Sequence, residues 1–251
     1  MNLACMMSRA GEQYGRRPAF LWGDEIVSYA EAHAATSSLA IGLRDLGLRP
    51  GDRCGVFMSN CPRLLESFFA IWKAGACVVP INARFLSDEV VYHLRDSQAR
   101  MVLFSEQFRE MLAGLRPQLP CVEHFICDGE PAPGQHAYRQ IVEANLGRDL
   151  LEERSERDLA WLFYTSGTTG YPKGAILTHG NLIFVALGMI ADLVHFEAED
   201  VGLHAAPLTH ATGFLALSMT MKGAAQAILK PDRFDPHIRG VHVGAAVNNV
   251  G

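Results

Sequence analysis

The segment from Tyr164 to Gly174 contains the residue types that recognise polyphosphate. It reads YTSGTTGYPKG and holds four aliphatic hydroxyls, three glycines and one lysine, directly after an apolar strand-like run. Glycines let backbone N–H groups approach a ligand, hydroxyls donate to phosphate oxygens, and a lysine supplies a compact positive charge. Hydrogen bonds to charged groups contribute about 1.5–3 kcal/mol each, so a few such contacts suffice for nucleotide binding. The segment therefore predicts a phosphate-binding loop.

An ordinary turn between a strand and a helix is the alternative, since Ser, Thr and Gly also dominate such turns. The lysine favours the phosphate loop, because the chain contains eighteen arginines but only four lysines. Other phosphate-binding patterns are missing: the sequence has neither GxxxxGK[ST] nor GxGxxG. It also has no GxSxG, which argues against a hydrolase nucleophile at Ser166.

Strand-like and helix-like stretches alternate on both sides of this loop. Ser28 and Ser87 are expected to cap two of the helices, and Gly47 to end the first of them. The predicted strands are 53–58, 77–81, 101–104, 124–127, 159–164, 201–206 and 225–229, and the predicted helices are 29–46, 62–73, 87–94, 108–115 and 181–194. This alternation predicts an α/β fold with Rossmann-like layers of largely parallel sheet and flanking helices.

A charged stretch interrupts the alternation between residues 143 and 158, where nine of sixteen residues are charged. Such a stretch is typical of a solvated helix or connector. It is also the internal boundary that the sequence predicts, within one large domain that would span residues 1–251.

Composition and charge exclude several classes of protein. Apolar residues make up 49% and charged residues 20% of the chain, as in ordinary globular proteins. A net charge of −5 and the lack of a basic stripe argue against a nucleic-acid partner. No apolar run approaches the roughly 18 residues that span a bilayer, and no signal-peptide core is present, so we expect a cytoplasmic protein. The six cysteines lack paired spacing and are expected to be reduced.

Residues 164–174 closely resemble the signature of the adenylate-forming superfamily, which comprises acyl- and aryl-CoA synthetases, peptide-synthetase adenylation domains and luciferases. Residues 28–31 (SYAE) resemble its first core motif, and residues 73–82 (KAGACVVPIN) its second. Two segments favour the CoA-ligase branch. Residues 80–84 (PINAR) are similar to its PxNxR, and residues 207–213 (PLTHATG) to its PLxHxxG.

This resemblance implies a ligase for a fatty acid or another carboxylic acid that uses ATP, Mg²⁺ and CoA. The acid would attack the α-phosphorus of ATP, and the CoA thiol would then displace AMP from the acyl-adenylate. His210 would lie beside the acyl site, although packing against Gly213 is the structural alternative. The loop hydroxyls, including that of Thr165, would contribute to the Mg²⁺ site. By matching positions, the residues that would contact the β- and γ-phosphates are Thr165, Ser166, Gly167, Thr168, Thr169, Gly170 and Lys173.

Later parts of the family pattern have no counterpart in this sequence. Among them are the adenine-binding segment with its metal-binding glutamate, the ribose-binding aspartate, and the small C-terminal lid domain with its catalytic lysine. Family-like sequence stops near Phe234, and residues 240–251 match nothing in the family. We therefore expect an incomplete N-terminal domain of such a ligase, with impaired catalysis.

Such a domain would leave an edge or an apolar face uncovered, so we expect marginal stability and self-association. A non-enzymatic remnant, which binds nucleotide weakly or acts as an interaction module, is the second hypothesis. An unrelated α/β protein with a coincidental loop is the third.

Overall fold

A computed structural model describes residues 1–165 and 172–230 of the chain. Eleven strands and eight α-helices are found there. The strands are β1 (Pro18–Trp22), β2 (Glu25–Ser28), β3 (Arg53–Phe57), β4 (Cys77–Pro80), β5 (Met101–Phe104), β6 (His124–Cys127), β7 (His136–Ala137), β8 (Leu159–Thr165), β9 (Lys173–Thr178), β10 (Val201–His204) and β11 (Ala225–Ile228). The helices are α1 (Cys5–Tyr14), α2 (Tyr29–Asp45), α3 (Pro62–Lys73), α4 (Ser87–Asp96), α5 (Arg109–Leu115), α6 (Tyr138–Glu143), α7 (His179–Gly188) and α8 (Ala211–Lys222).

The strands form two sheets. The larger has seven strands in the order β7-β6-β5-β3-β4-β8-β9, and the smaller has four in the order β10-β11-β1-β2. All neighbouring strands are parallel except two hairpin pairs, β8 with β9 and β1 with β2. The predicted α/β fold with flanking helices is confirmed, and the two antiparallel hairpins are additions to it.

The start and the end of helix α2 lie where the local sequence predicts them, at Ser28 and Gly47. The Ser28 side chain accepts a hydrogen bond from the Glu31 N–H, and the Glu31 carboxylate accepts one from the Ser28 N–H. This reciprocal pair satisfies two N–H groups that the first helical turn leaves without partners. Gly47 follows the helix with φ of +99°, a backbone conformation that residues other than glycine rarely adopt.

The predicted cap at Ser87 is wrong by one residue. Ser87 is the first residue of α4, and Leu86 occupies the cap position. The Leu86 N–H donates to the Glu89 carboxylate at 2.8 Å. A carboxylate three residues into the helix therefore satisfies this N–H group from the helix side.

The predicted start of α7 is also two residues late. Thr178 caps this helix, because its side chain accepts from the Asn181 N–H and its own N–H donates to the Asn181 side chain. A turn of π-helix, Met189–Leu193, then continues α7.

Alternating residues of the central strands build two apolar clusters on opposite faces of the larger sheet. On β5, Met101 and Leu103 belong to the larger cluster, which also contains residues of the smaller sheet and of α1, α2, α3, α7 and α8. Val102 and Phe104 belong to the smaller cluster, together with residues of α4 and α5. In the larger cluster Trp72 stacks on Trp161 at 5.9 Å between ring centroids, and its indole N–H donates to the Ala160 carbonyl.

The charged stretch after α6 contains no helix or strand, in keeping with the predicted connector. It is held to the domain by Arg44, which forms an ion pair with Glu152 at 2.8 Å. Strand β8, which follows the connector, pairs with β4 in the same sheet as the strands before it. The internal boundary at residues 143–158 stays a prediction.

All six cysteines are free thiols, four of them buried. Among the described helices, none combines the length and the apolar character that crossing a bilayer requires.

Candidate functional site

The parallel strands of both sheets end beside two adjoining cavities. The first has a volume of about 370 Å³ and is lined by residues that follow β4, end β8 and precede α8. The second has a volume of about 470 Å³ and lies between the ends of β3, β4, β10 and β11. Asn82 and Thr209 line both cavities. Crevices at the carboxyl ends of parallel strands are the usual ligand sites of α/β proteins.

Thr165 and Lys173 face each other across the β8–β9 hairpin. They are register partners, Thr165 as the last residue of β8 and Lys173 as the first of β9, and both are exposed. Side chains of directly opposite residues in an antiparallel pair lie on the same face, about 5 Å apart at Cβ. Within residues 1–165 and 172–230, Lys173 has no ion pair. The hairpin therefore presents a hydroxyl together with an ammonium that has no ion pair in the part of the chain that the structure describes.

The other predicted phosphate contacts lie outside the described residues: Ser166, Gly167, Thr168, Thr169 and Gly170. Phe234, where family-like sequence was expected to stop, also lies outside them.

His210 lies on the same side of β8 as Thr165. Its ring packs edge-on against Phe163, with 4.8 Å between ring centroids, and Phe163 is two residues before Thr165 on the strand. Alternate residues of a strand share a face, so Phe163 and Thr165 both point toward this side. His210 and Thr165 also line the same cavity. The structure thus brings together the three predicted site residues that it describes.

The contact of His210 with Gly213 is made by the main chain, since the Gly213 N–H donates to the His210 carbonyl at 2.9 Å. A Cβ at Gly213 would lie 2.4 Å from the Leu208 carbonyl oxygen. Glycine is therefore required for the close turn that places His210 at the start of α8.

An aromatic wall adjoins His210 in the first cavity. Phe214 packs against Phe163 and Trp161, with ring centroids 5.7 Å and 5.3 Å apart. Phe163 and Trp161 line the cavity itself. This wall offers an apolar surface for an organic group placed next to the imidazole.

The second cavity carries positive charge. Arg84 and Lys230 line it, and neither forms an ion pair in the part of the chain that the structure describes. Lys230 lies over the Trp22 ring, 4.5 Å from its centroid. Asn82 sets the backbone here, because its side-chain oxygen accepts from the Arg84 N–H at 3.0 Å.

Sequence reasoning missed the residues behind the hairpin. The Tyr164 hydroxyl donates to the Asp96 carboxylate at 2.6 Å, and the Tyr92 hydroxyl donates to the Pro172 carbonyl at 2.7 Å. Burial, with a smaller contribution from Asp96, raises the pKa of the Tyr164 hydroxyl. Local sequence carries no signal for these contacts, because their partners are 68 and 80 residues apart.

The described residues of this site offer few oxygen ligands for a Mg²⁺ ion. Mg²⁺ prefers oxygen ligands and commonly binds through one or two carboxylates together with substrate phosphates and water. Thr165 offers a hydroxyl oxygen, whereas the described residues that line the first cavity include no carboxylate. Among the described residues, no three His, Cys, Asp or Glu side chains are grouped closely enough to hold a metal. A metal at this hairpin would therefore be held mainly by a bound nucleotide.

Comparison with known proteins identifies a family and several relatives. A family model described as AMP-binding enzyme matches residues 7–244, so the expectation that family-like sequence stops near Phe234 is wrong. A feruloyl-CoA synthase from Amycolatopsis sp is 34% identical over 220 residues, covering 85% of this chain and 40% of that protein. A long-chain-fatty-acid–CoA ligase from Thermus thermophilus is 31% identical over 243 residues, covering 94% of this chain and 44% of that protein. The chain thus spans less than half the length of these curated relatives.

A solved structure shares the fold of the described residues. The anthranilate CoA ligase AuaEII, in complex with anthranoyl-AMP, superposes with a TM-score of 0.87 at 25% identity. The match covers 93% of this chain and 45% of that protein.

Proposed function

As its sequence predicted, the chain belongs to the AMP-binding enzyme family, and from this membership we propose that it supplies the ATP-binding part of an acid–CoA ligase. The observation that carries the proposal is the pairing of Thr165 with Lys173 on the face of the β8–β9 hairpin where His210 lies. A hydroxyl beside an ammonium at the carboxyl edge of a sheet suits the phosphate chain of ATP. The relatives named above are CoA ligases, which supports the same reaction class.

In the proposed reaction the chain binds and orients its substrates without a protein nucleophile. A carboxylate oxygen of the acid attacks the α-phosphorus of ATP, the bond between the α- and β-phosphates breaks, and pyrophosphate leaves. Lys173 offsets the negative charge of the β- and γ-phosphates, and Thr165 donates its hydroxyl hydrogen to a phosphate oxygen. Mg²⁺, when bound, would neutralise further phosphate charge, and the Thr165 hydroxyl would offer it an oxygen ligand. Positioning and charge neutralisation provide most of the rate enhancement in reactions of this kind.

The acid would lie in the first cavity. Its organic group would pack on the aromatic wall of Phe163 and Phe214, next to His210. From this position an imidazole N–H of His210 can donate to the acid and direct its carboxylate toward the hairpin.

CoA would approach through the second cavity in the second step. Its phosphate groups match the positive charges of Arg84 and Lys230, which have no ion pair within the described residues. The cavities adjoin at Asn82 and Thr209, so a thiol entering from this side reaches the acyl-adenylate. The thiol sulfur then bonds to the acyl carbon, AMP leaves with the carboxylate oxygen, and the thiol proton passes to solvent.

A second candidate function is nucleotide binding without turnover by these 251 residues alone. It is favoured by the coverage of the relatives, of which the chain matches only 40% and 44%. The matched relatives perform their named reactions with a chain more than twice this length.

Pyrophosphate exchange tests the two candidates together. The purified chain is incubated with ATP, Mg²⁺, labelled pyrophosphate and a panel of aromatic and aliphatic carboxylic acids, and ATP binding is measured in parallel by calorimetry. Acid-dependent label in ATP supports the ligase, and ATP binding without exchange supports the second candidate. A chain that neither exchanges nor binds ATP contradicts both.

A further inference from the structure

Helix α4 contacts both strands of the β8–β9 hairpin at the ends that Thr165 and Lys173 occupy. Asp96 accepts a hydrogen bond from Tyr164 on β8, and Tyr92 donates one to the Pro172 carbonyl, directly before β9. Tyr92 and Asp96 are four residues apart on α4, so they lie on one face of the helix. One helix face thus makes one hydrogen bond to each arm of the hairpin.

We propose that Tyr92 and Asp96 are positioning residues for nucleotide phosphate, which hold the two strand ends that carry Thr165 and Lys173. This inference rests on the proposed function, because it assigns a purpose to the same hairpin. Neither residue touches the ligand in this scheme. Both act through the backbone of β8 and β9.

The hairpin needs such support because the last residues of β8 extend past the end of the neighbouring strand β4. Strand β8 pairs with β4 at Trp161 and Val78, and β4 ends two residues later at Pro80. In parallel register this end lies beside Phe163, so Tyr164 and Thr165 project beyond β4. On the other side β9 is the edge of the sheet within the described residues. A two-stranded hairpin without further packing is only marginally stable in water.

The side chains at the end of the hairpin lie on two opposite faces, one toward α4 and one toward the candidate site. Tyr164 and its register partner Gly174 lie on the α4 face, whereas Thr165 and Lys173 lie on the opposite one. A Cβ at Gly174 would lie 3.1 Å from the Tyr164 ring, so the ring crosses directly over this glycine. The His93 ring lies 4.5 Å from the Tyr164 ring and confines it from the helix side.

The hydrogen bond between Tyr164 and Asp96 suits a tether. Its length of 2.6 Å is typical of a hydroxyl that donates to a carboxylate, which is stronger than a bond between neutral groups. A tyrosine hydroxyl has an ordinary pKa of about 10, so Tyr164 keeps its donor proton at neutral pH, and burial raises this pKa further. The consequence is that the strand ends are ordered before phosphate arrives, so less conformational entropy is lost on binding.

Three variants of the 251-residue chain test this arrangement. Tyr92→Phe and Asp96→Ala each remove one hydrogen bond, and Asp96→Asn keeps an acceptor oxygen and should restore most of the second. Tyr14→Phe, a hydroxyl deletion on α1 far from the hairpin, is the matched control. Hydrogen exchange of residues 163–165 and 173–175 measures the hairpin without any ligand, and calorimetry measures ATP affinity.

We expect exchange at these residues to accelerate by about fivefold to tenfold in Tyr92→Phe and Asp96→Ala, as loss of one hydrogen bond predicts, with exchange of β3 and β5 unchanged. ATP affinity should fall by a similar factor, and Asp96→Asn should recover it. Unchanged exchange in both variants overturns the tether. Faster exchange with unaltered ATP affinity overturns the positioning role. A wild-type chain without ATP affinity overturns the proposed function, and the exchange comparison then decides separately whether α4 holds the hairpin.

Discussion

Two lysines of this chain show how environment separates a structural role from a binding role. Lys73 is fully buried, and its ammonium contacts Ser37 at 2.6 Å, His33 at 2.9 Å and Asp149 at 3.4 Å. Burial lowers the pKa of Lys73 to about 8. Its hydrogen-bonding capacity is thus used within the fold, although it lies in one of the motifs that suggested the family. Lys173, in contrast, is exposed and has no ion pair among the described residues, so its charge is available to a ligand.

We expect Lys173→Ala to weaken ATP binding about tenfold or more. A hydrogen bond to a charged group contributes about 1.5–3 kcal/mol, and each 1.4 kcal/mol corresponds to a factor of ten in affinity. Calorimetry with Mg²⁺ and ATP measures the effect. Lys222→Ala, at the end of α8, is the matched control and should bind as the wild type does. Equal affinity of the Lys173 variant and the wild type would remove Lys173 from the site.

At the scale of elements, sequence was most reliable where the signal is local. The bounds of α3, β5 and β6 match the predicted ones, because an apolar run or a proline at the first helical turn defines each of them within a few residues. The β8–β9 hairpin was missed, since residues 173–178 (KGAILT) follow a glycine-rich segment and lack clear alternation. The hairpin is recognised only from the pairing of Thr165 with Lys173, which the sheet register shows and the local sequence does not.

The site residues also divide into those that local sequence predicts and those that only the fold reveals. Thr165, Lys173 and His210 were predicted from motifs whose residues are close in sequence. Tyr92 and Asp96 were not, because they reach the hairpin only once α4 packs beside the end of β8. Long-range contacts of this kind depend on register and topology, which no local pattern contains.

Alanine substitutions at two helical glycines should change the free energy of unfolding in opposite directions. At Gly213 a Cβ would meet the Leu208 carbonyl at 2.4 Å, and backbone cannot move aside as a side chain can. We expect Gly213→Ala to destabilise the chain by about 1–3 kcal/mol, as overpacked sites do, and to displace His210. At Gly188 the added Cβ would meet nothing within 4 Å, so Gly188→Ala should stabilise by about 0.4–1 kcal/mol. Urea unfolding measures the free energy of unfolding of both variants. A change in the same direction for both would refute the close turn at Gly213.

The whole molecule contains a buried carboxyl group that couples its stability to pH. Glu66 on α3 accepts a hydrogen bond from the Tyr138 hydroxyl on α6 at 3.0 Å. Burial raises the pKa of Glu66 from its ordinary 4.5 to about 7. Between these values the folded chain binds the proton more strongly than the unfolded chain, so this group destabilises the fold as pH rises from about 4.5 to about 7. Burial lowers the pKa of His179 and His204 to about 4, and they act in the opposite direction below pH 6.5.

Glu66→Gln isolates the carboxyl from the histidines, because it removes the titration and keeps an acceptor for Tyr138. We expect the variant to gain stability over the wild type at pH 8 relative to pH 5, by on the order of 2 kcal/mol. Urea unfolding at both pH values measures the difference. Parallel stability profiles for the two proteins would show that Glu66 titrates near its ordinary value in the folded chain.

The molecule also exposes apolar side chains on α7 and on β9. Phe184 and Leu187 are three residues apart on α7 and are 78% and 49% exposed, and Ile176 on the edge strand β9 is 67% exposed. Single exposed apolar residues are common, but exposed neighbours on one helix face favour association, as does a strand that is a sheet edge within the described residues. The expected self-association therefore has a candidate surface, formed by Phe184 and Leu187 on α7.

Phe184→Asp should convert a self-associating chain to monomer without loss of fold. Burying a phenylalanine side chain contributes about 1.5–3 kcal/mol, so its loss should weaken association by about tenfold or more, and an aspartate adds a desolvation cost. Sedimentation velocity over a range of concentrations measures the association constant, and circular dichroism checks the fold. Leu146→Asp is the control, since Leu146 is 61% exposed in the connector and stands apart from this surface. A wild-type chain that stays monomeric at every concentration and melts cooperatively at high temperature would show that the exposed side chains of α7 and β9 do not drive association.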